Sequence, residues 1–397
     1  MRGIYGAGLE FDAACAGCTA SFQAGEKVEW VEVCAACCDE FLENEWYFSW
    51  VGEAQILENP MPFNAALVER HLPLENDAVL AVAENGRVFE FADGSLSEIG
   101  EEKRLLMRVE WPREAEPKWG KIRLVRRLEV SESARFLALI NDFGRYGVVV
   151  DLQTCAVILQ LDRGDYHPEQ TPFPLAFFQD ERRELVVHGA DWNRLDISDP
   201  SSGELISVRE SPRHDDESES SHYLDYFHGR LRVSPDGEWI LDDGWIWHPM
   251  GVPAWWNLKK WDQENVWESE DGPSRVDPTF REFWDCPMCW IGDESVAISG
   301  IGNDDEGVVS GVQIFSLDGK EVFAFAGPSG KFFSDGKRLF SVEGDGLQIW
   351  NVETGARTGT IAGFHPQFQI DSALVEIKNQ KMRIWNYGDP QSESHKK

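Results

Sequence analysis

A chain of 397 residues with 42% hydrophobic side chains, 17 Trp and 23 Phe among them, has ample material for a packed core, which excludes wholesale disorder. Its 37 Lys and Arg stand against 70 Asp and Glu, a formal net charge of −33. Such a field repels phosphate backbones and anionic lipid, so neither nucleic acid nor a membrane is expected as a partner; it suits a basic protein partner or simply solubilises the surface.

No stretch approaches the roughly 18 consecutive apolar residues of a membrane span, and Met1-Arg2-Gly3-Ile4-Tyr5 lacks the pattern of a secretory signal. A cytoplasmic protein is expected.

Cysteine spacing marks residues 1–48. Cys15-Ala16-Gly17-Cys18 is followed, after fifteen residues, by Cys34-Ala35-Ala36-Cys37, the pattern of a zinc site. Tetrahedral zinc takes four thiolates at about 2.3 Å, and each Cys-x-x-Cys turn can supply two of them. Between the pairs, Ala24-Gly25-Glu26 reads as a turn and Lys27 to Val33 alternates as a half-exposed strand; Asp39 to Tyr47 then reads as a helix with acidic first turns. Knuckle, hairpin and helix resemble a treble-clef zinc module. A closed set of Cys15, Cys18, Cys34 and Cys37 implies one structural Zn2+ per chain, with Cys38 a spare thiol; a disulfide framework is the alternative that a cytoplasmic setting disfavours. Only Arg2 and Lys27 oppose nine acidic residues in the first fifty, so protein contact or bracing is expected of this module rather than nucleic-acid binding.

Residues 49–75 form a connector with Pro60, Pro62 and Pro73, in which Phe63 to Arg70 reads as a short helix and from which a strand can be lent to the end of the chain. From residue 76 to 388 a four-strand unit recurs. It is clearest near the C-terminus: Phe332-Phe333-Ser334-Asp335-Gly336, an alternating run from Lys337 to Val342, the turn Gly344-Asp345-Gly346, then Leu347 to Asn351, and a last run Arg357 to Ile361. Such a unit cannot stand alone and stacks as one blade of a propeller. Candidate third strands are Arg87–Phe91, Gly147–Asp151, Arg194–Ile197, Ala254–Asn257, Val312–Phe315, Leu347–Trp350 and Met382–Trp385, seven in all, with six or eight blades as alternatives.

Ile349-Trp350-Asn351 and Ile384-Trp385-Asn386 resemble the Ile-Trp-Asp ending of WD40 repeats, and Val233-Ser234-Pro235-Asp236-Gly237 and Phe333-Ser334-Asp335-Gly336 resemble the turn into their second strand. Gly363-Phe364-His365 stands where that family has Gly-His. Most blades lack the His and the Trp-Asp ending, so the family's His/Asp network is not carried over. The resemblance implies a mainly β, seven-bladed WD40-like propeller. It further implies that the fourth strand missing after Trp385, before the polar tail 389–397, comes from the N-terminal side.

Three stretches are candidates for function. Trp239 to Trp290 hold nine of the seventeen tryptophans; adjacent rings in Trp245-Ile246-Trp247 and Trp255-Trp256 should fall on both faces of a strand. Trp245, Trp247, Trp255, Trp256, Trp261 and Trp267, beside Asp242, Asp243, Asp262, Glu264, Glu268 and Glu270, are thus the candidates for holding a basic peptide, unless they fill the core. Cys286-Pro287-Met288-Cys289 imitates a redox pair, but its flanks read as a strand, and no helix follows to lower a thiol pKa. His214 to His222, rich in Asp, Glu and Ser, reads as an exposed interblade loop that could bind a divalent cation. No phosphate loop, nucleophile elbow or His-Glu-x-x-His helix occurs. The expectation is a scaffold that binds a protein or peptide partner on one propeller face; the alternative is a propeller enzyme, a metal-dependent hydrolase or oxidoreductase, with its site in the central channel.

Overall fold

In the computed structural model the described residues are 66–112, 114, 125–180, 182–210, 222–302 and 309–388, together with four two-residue strands in the first 65 positions. Those four are Arg2–Gly3 (β1), Ala13–Ala14 (β2), Ser21–Phe22 (β3) and Val31–Glu32 (β4); β1 pairs antiparallel with β4, and β2 with β3. Cys15, Cys18, Cys34, Cys37, His214 and the tail 389–397 lie outside the described residues.

After Val68–His71 (β5), seven antiparallel sheets follow in chain order. The first is Val79–Val82 (β6), Val88–Ala92 (β7), Ser95–Ile99 (β8) and Lys103–Arg108 (β9). The second is Arg126–Val130 (β10), Phe136–Asn141 (β11), Tyr146–Asp151 (β12) and Ala156–Asp162 (β13); the third is Leu175–Gln179 (β14), Glu184–Asp191 (β15), Arg194–Asp199 (β16) and Glu204–Leu205 (β17). The fourth has three strands, Phe227–Val233 (β18), Trp239–Ile246 (β19) and Met250–Asn257 (β20). It is followed by helices Leu258–Gln263 (α1) and Glu268–Asp271 (α2). The fifth is Met288–Ile291 (β21), Ser295–Ile301 (β22), Val309–Ser316 (β23) and Glu321–Ala326 (β24); the sixth is Lys331–Ser334 (β25), Arg338–Glu343 (β26), Gly346–Asn351 (β27) and Arg357–Ala362 (β28). The seventh is Phe368–Ile370 (β29), Ala373–Lys378 (β30), Lys381–Asn386 (β31) and, as its fourth strand, β5.

These meandering sheets are the blades of a seven-bladed β-propeller. The fifth and sixth lie in one compact unit and the other five in a second. Inside the larger unit the first strands β29, β6, β10, β14 and β18 neighbour one another in succession, and inside the smaller unit β21 neighbours β25. No helix among the described residues is long and apolar enough to cross a membrane.

Local chemistry explains most of this order. In the sixth sheet, Asp335 Oδ1 accepts from the amides of Lys337 and Arg338 at 3.0 and 2.7 Å, closing the turn into β26, while Asn351 Oδ1 accepts from Glu353 and Thr354, both at 2.9 Å, closing the turn before β28. Short polar side chains that cap their own turns are what makes an Asp-Gly or Asn-x-x-Gly stretch punctuate strands. Between blades the interior is apolar: Leu185, Val187, Leu195 and Ile197 of the third sheet share a core with Ile240 and Trp256 of the fourth.

Two expectations need correction. The Phe63–Arg70 helix is replaced, where described, by β5, which pairs with β31 through Lys381↔His71, Met382↔Arg70, Arg383↔Glu69 and Ile384↔Val68. The unpaired edge of β31 overrides the local helical preference of this segment. Arg87–Phe91, read as a third strand, is the second strand of its sheet, β7, since Val88↔Ile99 places β8 beyond it. β8 escaped notice because it reads Ser-Leu-Ser-Glu-Ile, although Ser97 is buried in it.

The fourth sheet compensates for its missing strand. Residues 276–281 run along the outer edge of β20: the amides and carbonyls of Trp255 and Val276 exchange bonds of 3.0 and 2.9 Å, and those of Gly251 and Arg281 bonds of 2.8 and 2.9 Å. The edge that would otherwise expose a row of donors and acceptors is thus covered by the insertion.

Candidate functional site

The six tryptophans proposed from the sequence divide by depth. Trp255 and Trp256 are fully buried, and Trp261 and Trp245 nearly so, whereas Trp267 is half-buried and Trp247 is 43% exposed. Trp255 and Trp256 are neighbours on β20 and both go inward: Trp256 meets Trp261 of α1 at 5.9 Å, and Trp255 is buried although the 276–281 segment pairs only with the edge of its strand. Four of the six rings therefore belong to the core, and Trp247 remains as an open contact.

Around Trp247 the fold assembles rings that the sequence scatters. All come from one end of the sheets, where a fourth strand leads to the next first strand and a second strand turns into a third. Tyr166 and His167 lie on the connection from β13 to β14, Trp192 in the β15–β16 turn, Tyr223 in the lead-in to β18, Phe227 at its start, and Trp247 in the β19–β20 turn. Tyr166 lies 5.2 Å from Trp192, 5.9 Å from Phe227 and 6.2 Å from Trp247, centroid to centroid, and His167 meets Trp247 edge-on at 4.8 Å. Beneath them Phe227 packs at 4.6 Å on both Trp192 and Trp245. Tilted and edge-to-face contacts at these separations are the favourable arrangements for aromatic rings.

The cluster opens to solvent through Tyr166, 45% exposed, and Trp247, and Phe280 and Phe283 are exposed on the insertion that passes the same sheet. Trp284, next to Phe283, packs at a tilt on Trp245 at 5.4 Å and donates its Nε1 hydrogen to the Gln170 carbonyl at 2.6 Å. Acidic residues neighbour the rings along the chain: Asp165 precedes Tyr166, Asp191 precedes Trp192 and Asp225 lies two positions before Phe227, and all three are exposed. Glu169 lies lower, its side chain 7% exposed, with Oε1 3.1 Å from His167 Nδ1 and Oε2 lacking a hydrogen-bond partner.

A buried polar scaffold holds these loops. The Arg163 guanidinium donates to the carbonyls of Gly144 (2.8 Å), Asp142 (3.1 Å), Thr171 (2.9 Å) and Pro172 (3.2 Å), to that of Pro168, and to Thr171 Oγ1 (3.3 Å). One side chain thereby satisfies the backbone of the loop that carries Tyr166 and His167. Thr171 Oγ1 donates onward to the His228 carbonyl at 2.8 Å, and Asn193 Nδ2 to that of Leu224 at 2.8 Å. Asp142 accepts from Arg127 (2.8 Å) and Arg230 (3.0 Å).

His228 and Asp242 form a further pair, Nδ1 to Oδ2 at 2.6 Å, with the Gly229 amide donating to Asp242 Oδ1 at 2.8 Å. Both side chains are completely buried, so this dyad braces β18 against β19 and presents no face to a substrate. Gly244 beside it is required by space: a Cβ there would fall 1.9 Å from Cζ of the buried Tyr226.

The remaining candidates are placed as follows. Cys286 and Cys289 form no disulfide, and Cys289 is buried on β21 in the core of the fifth and sixth sheets, which is a packing position. His222 stacks on Trp267 at 4.5 Å and meets the Asp271 carboxylate at 2.8 and 2.9 Å. Among the described residues no three His, Cys, Asp or Glu side chains converge as a metal-binding group. Tyr166, His167, Trp192, Tyr223 and Phe227 were not singled out from the sequence. The available signal was Trp192-Asn193 and Trp247-His248-Pro249: large aromatics at turn positions, which usually take small polar residues.

No protein-family model matches the chain, and no curated protein matches it. Among solved structures it is similar to a chain in the crystal structure of a mitotic checkpoint complex, at 12% identity, covering 84% of this chain and 98% of that one with a TM-score of 0.49. It is similar also to the U3-55K structure, at 12% identity, 80% and 98% coverage and a TM-score of 0.46. A third is the Kuenenia stuttgartiensis hydrazine synthase, at 14% identity, 76% and 80% coverage and a TM-score of 0.43. No residue role is taken from any of them.

Proposed function

We propose that this chain is a protein-interaction scaffold, a WD40-like propeller that docks a basic segment of a partner protein on the aromatic, acidic end of its third and fourth sheets. The observation that carries this reading is the juxtaposition of exposed Tyr166 and Trp247 with exposed Asp165, Asp191 and Asp225. Aromatic rings that stay in water are anchors for a partner, and carboxylates between them select a cationic one. A net charge of −33 extends that selectivity over long range and works against nucleic acid and anionic membranes. A cytoplasmic setting fits this role. Titration of a Lys/Arg-rich peptide tests it: binding that weakens with salt and at least about tenfold on joint Tyr166→Ala and Trp247→Ala substitution supports the reading, and unchanged binding refutes it.

The N-terminal region has its own part in the proposal. Cys15, Cys18, Cys34 and Cys37 hold one structural zinc in a treble-clef-like module spanning residues 1–48, with the connector to residue 75 leading into the propeller of 76–388. Support comes from their spacing and from the pairing of β2 with β3, which flank Cys15 and Cys18 in sequence. Four thiolates leave zinc no open position, so the metal braces the module.

A further inference from the structure

The aromatic surface also points to the chemistry of the side chain it receives. Resting on the basic-partner reading above, we propose that its ligand is an arginine, stacked on one of Trp247 and Tyr166 and edge-on to the other, and not a lysine or a methylated lysine. A quaternary ammonium is recognised by rings splayed around a void, so that the cation lies within about 6 Å of several ring faces at once. No such void exists between these rings. Tyr166, Trp192, Phe227 and Trp247 are separated by only 4.6 to 6.2 Å along their contacting pairs, which leaves them packed on one another.

What the cluster offers is the outer surface of two rings inclined at 69°, with carboxylates at the margin. A planar guanidinium fits that shape: it stacks on one ring, turns an edge to the second, and still directs paired N–H donors at a carboxylate. An ammonium is a compact, strongly hydrated charge that gains little from a flat face. Glu169 adds negative charge beneath the rings, through a nearly buried side chain whose Oε2 has no donor.

The chain uses the same arrangement internally. Arg275 lies over Tyr226 at 4.7 Å and Trp256 at 5.4 Å while pairing with Asp277 at 3.0 Å. Arg209 lies over Trp267 at 5.4 Å and pairs with Glu270 and Asp196. An arginine between ring and carboxylate is therefore a contact this sequence already stabilises.

The test is calorimetric titration of the full chain with three Gly/Ser-based peptides of equal length and charge, carrying arginine, lysine or trimethyllysine. The arginine peptide should bind at least about fivefold tighter than the other two, lose that advantage in Trp247→Ala, and regain most of it in Trp247→Phe, which keeps a ring. Thermal melts of each variant verify that the fold is retained. Equal or tighter binding of the trimethyllysine or lysine peptide, still dependent on Trp247, overturns the arginine assignment and leaves the basic-partner reading standing. Binding of none of the three, or binding indifferent to Trp247, overturns both.

Discussion

Arg163 supports the aromatic surface without touching a partner, and replacing it with lysine isolates that support. The guanidinium reaches six acceptors drawn from residues 142–144 and 168–172. A lysine keeps the charge but has three donors on one nitrogen, so at least three buried acceptors lose their hydrogen bonds. Each bond to a charged donor contributes about 1.5 kcal/mol, which puts Arg163→Lys on the order of 4 kcal/mol less stable. The lost stacking on Phe173, 5.1 Å from the guanidinium carbon, acts in the same direction. Urea denaturation followed by circular dichroism should show this as a lowered midpoint at unchanged slope. Amide hydrogen exchange should quicken first over residues 164–172, because the damage begins in that loop. A loss below about 1 kcal/mol with unchanged exchange there would refute the assignment of Arg163 as the loop's organiser.

His188 is a pH-sensitive element of the third sheet: its Nε2 lies 2.9 Å from Ser198 Oγ, and burial holds its pKa below the ordinary histidine value. The unfolded chain therefore takes up this proton first as pH falls. Stability tied to His188 is present above about pH 6.5 and declines below it, by up to about 1.4 kcal/mol per pH unit. Urea midpoints at pH 7.5 and 5.0 should differ more for the native chain than for His188→Gln, and equal differences would contradict this. Arg70→Pro places a residue without an amide hydrogen in β5, costs about 1–3 kcal/mol, and bares the edge of β31; a lower melting temperature and concentration-dependent aggregation are expected, and an unaltered melt counts against the role of β5. Metal analysis of the purified chain should find one zinc, lost when Cys34 and Cys37 are both changed to serine; a metal-free native chain would remove the zinc proposal.

Blade number and the C-terminal blades were legible because their strands alternate and their turns are capped by Asp335 and Asn351 within a few residues. Those are local signals, readable without knowledge of neighbours. The first sheet was harder, since the buried β8 is polar in composition and the aromatic β7 imitates the repeat's third strand. Trp255 and Trp256 defeated the alternation argument for a different reason. Alternation assumes one solvated face, and six consecutive residues of β20, Gly251 to Trp256, are buried. The aromatic surface was legible only through Trp247. Tyr166, Trp192, Phe227 and Trp247 are separated by up to 81 positions in the chain and meet because successive blades bring the same kind of turn to one end, a relation held in the topology.

Hydrogen exchange of the full chain with and without an arginine-rich peptide tests the central claim most directly, because it locates the contact. Protection confined to residues 164–170, 191–193, 222–227 and 247–249 is the predicted result. Protection at the opposite turns, 152–155, 199–203 and 235–238, with none at the aromatic end, would contradict the account.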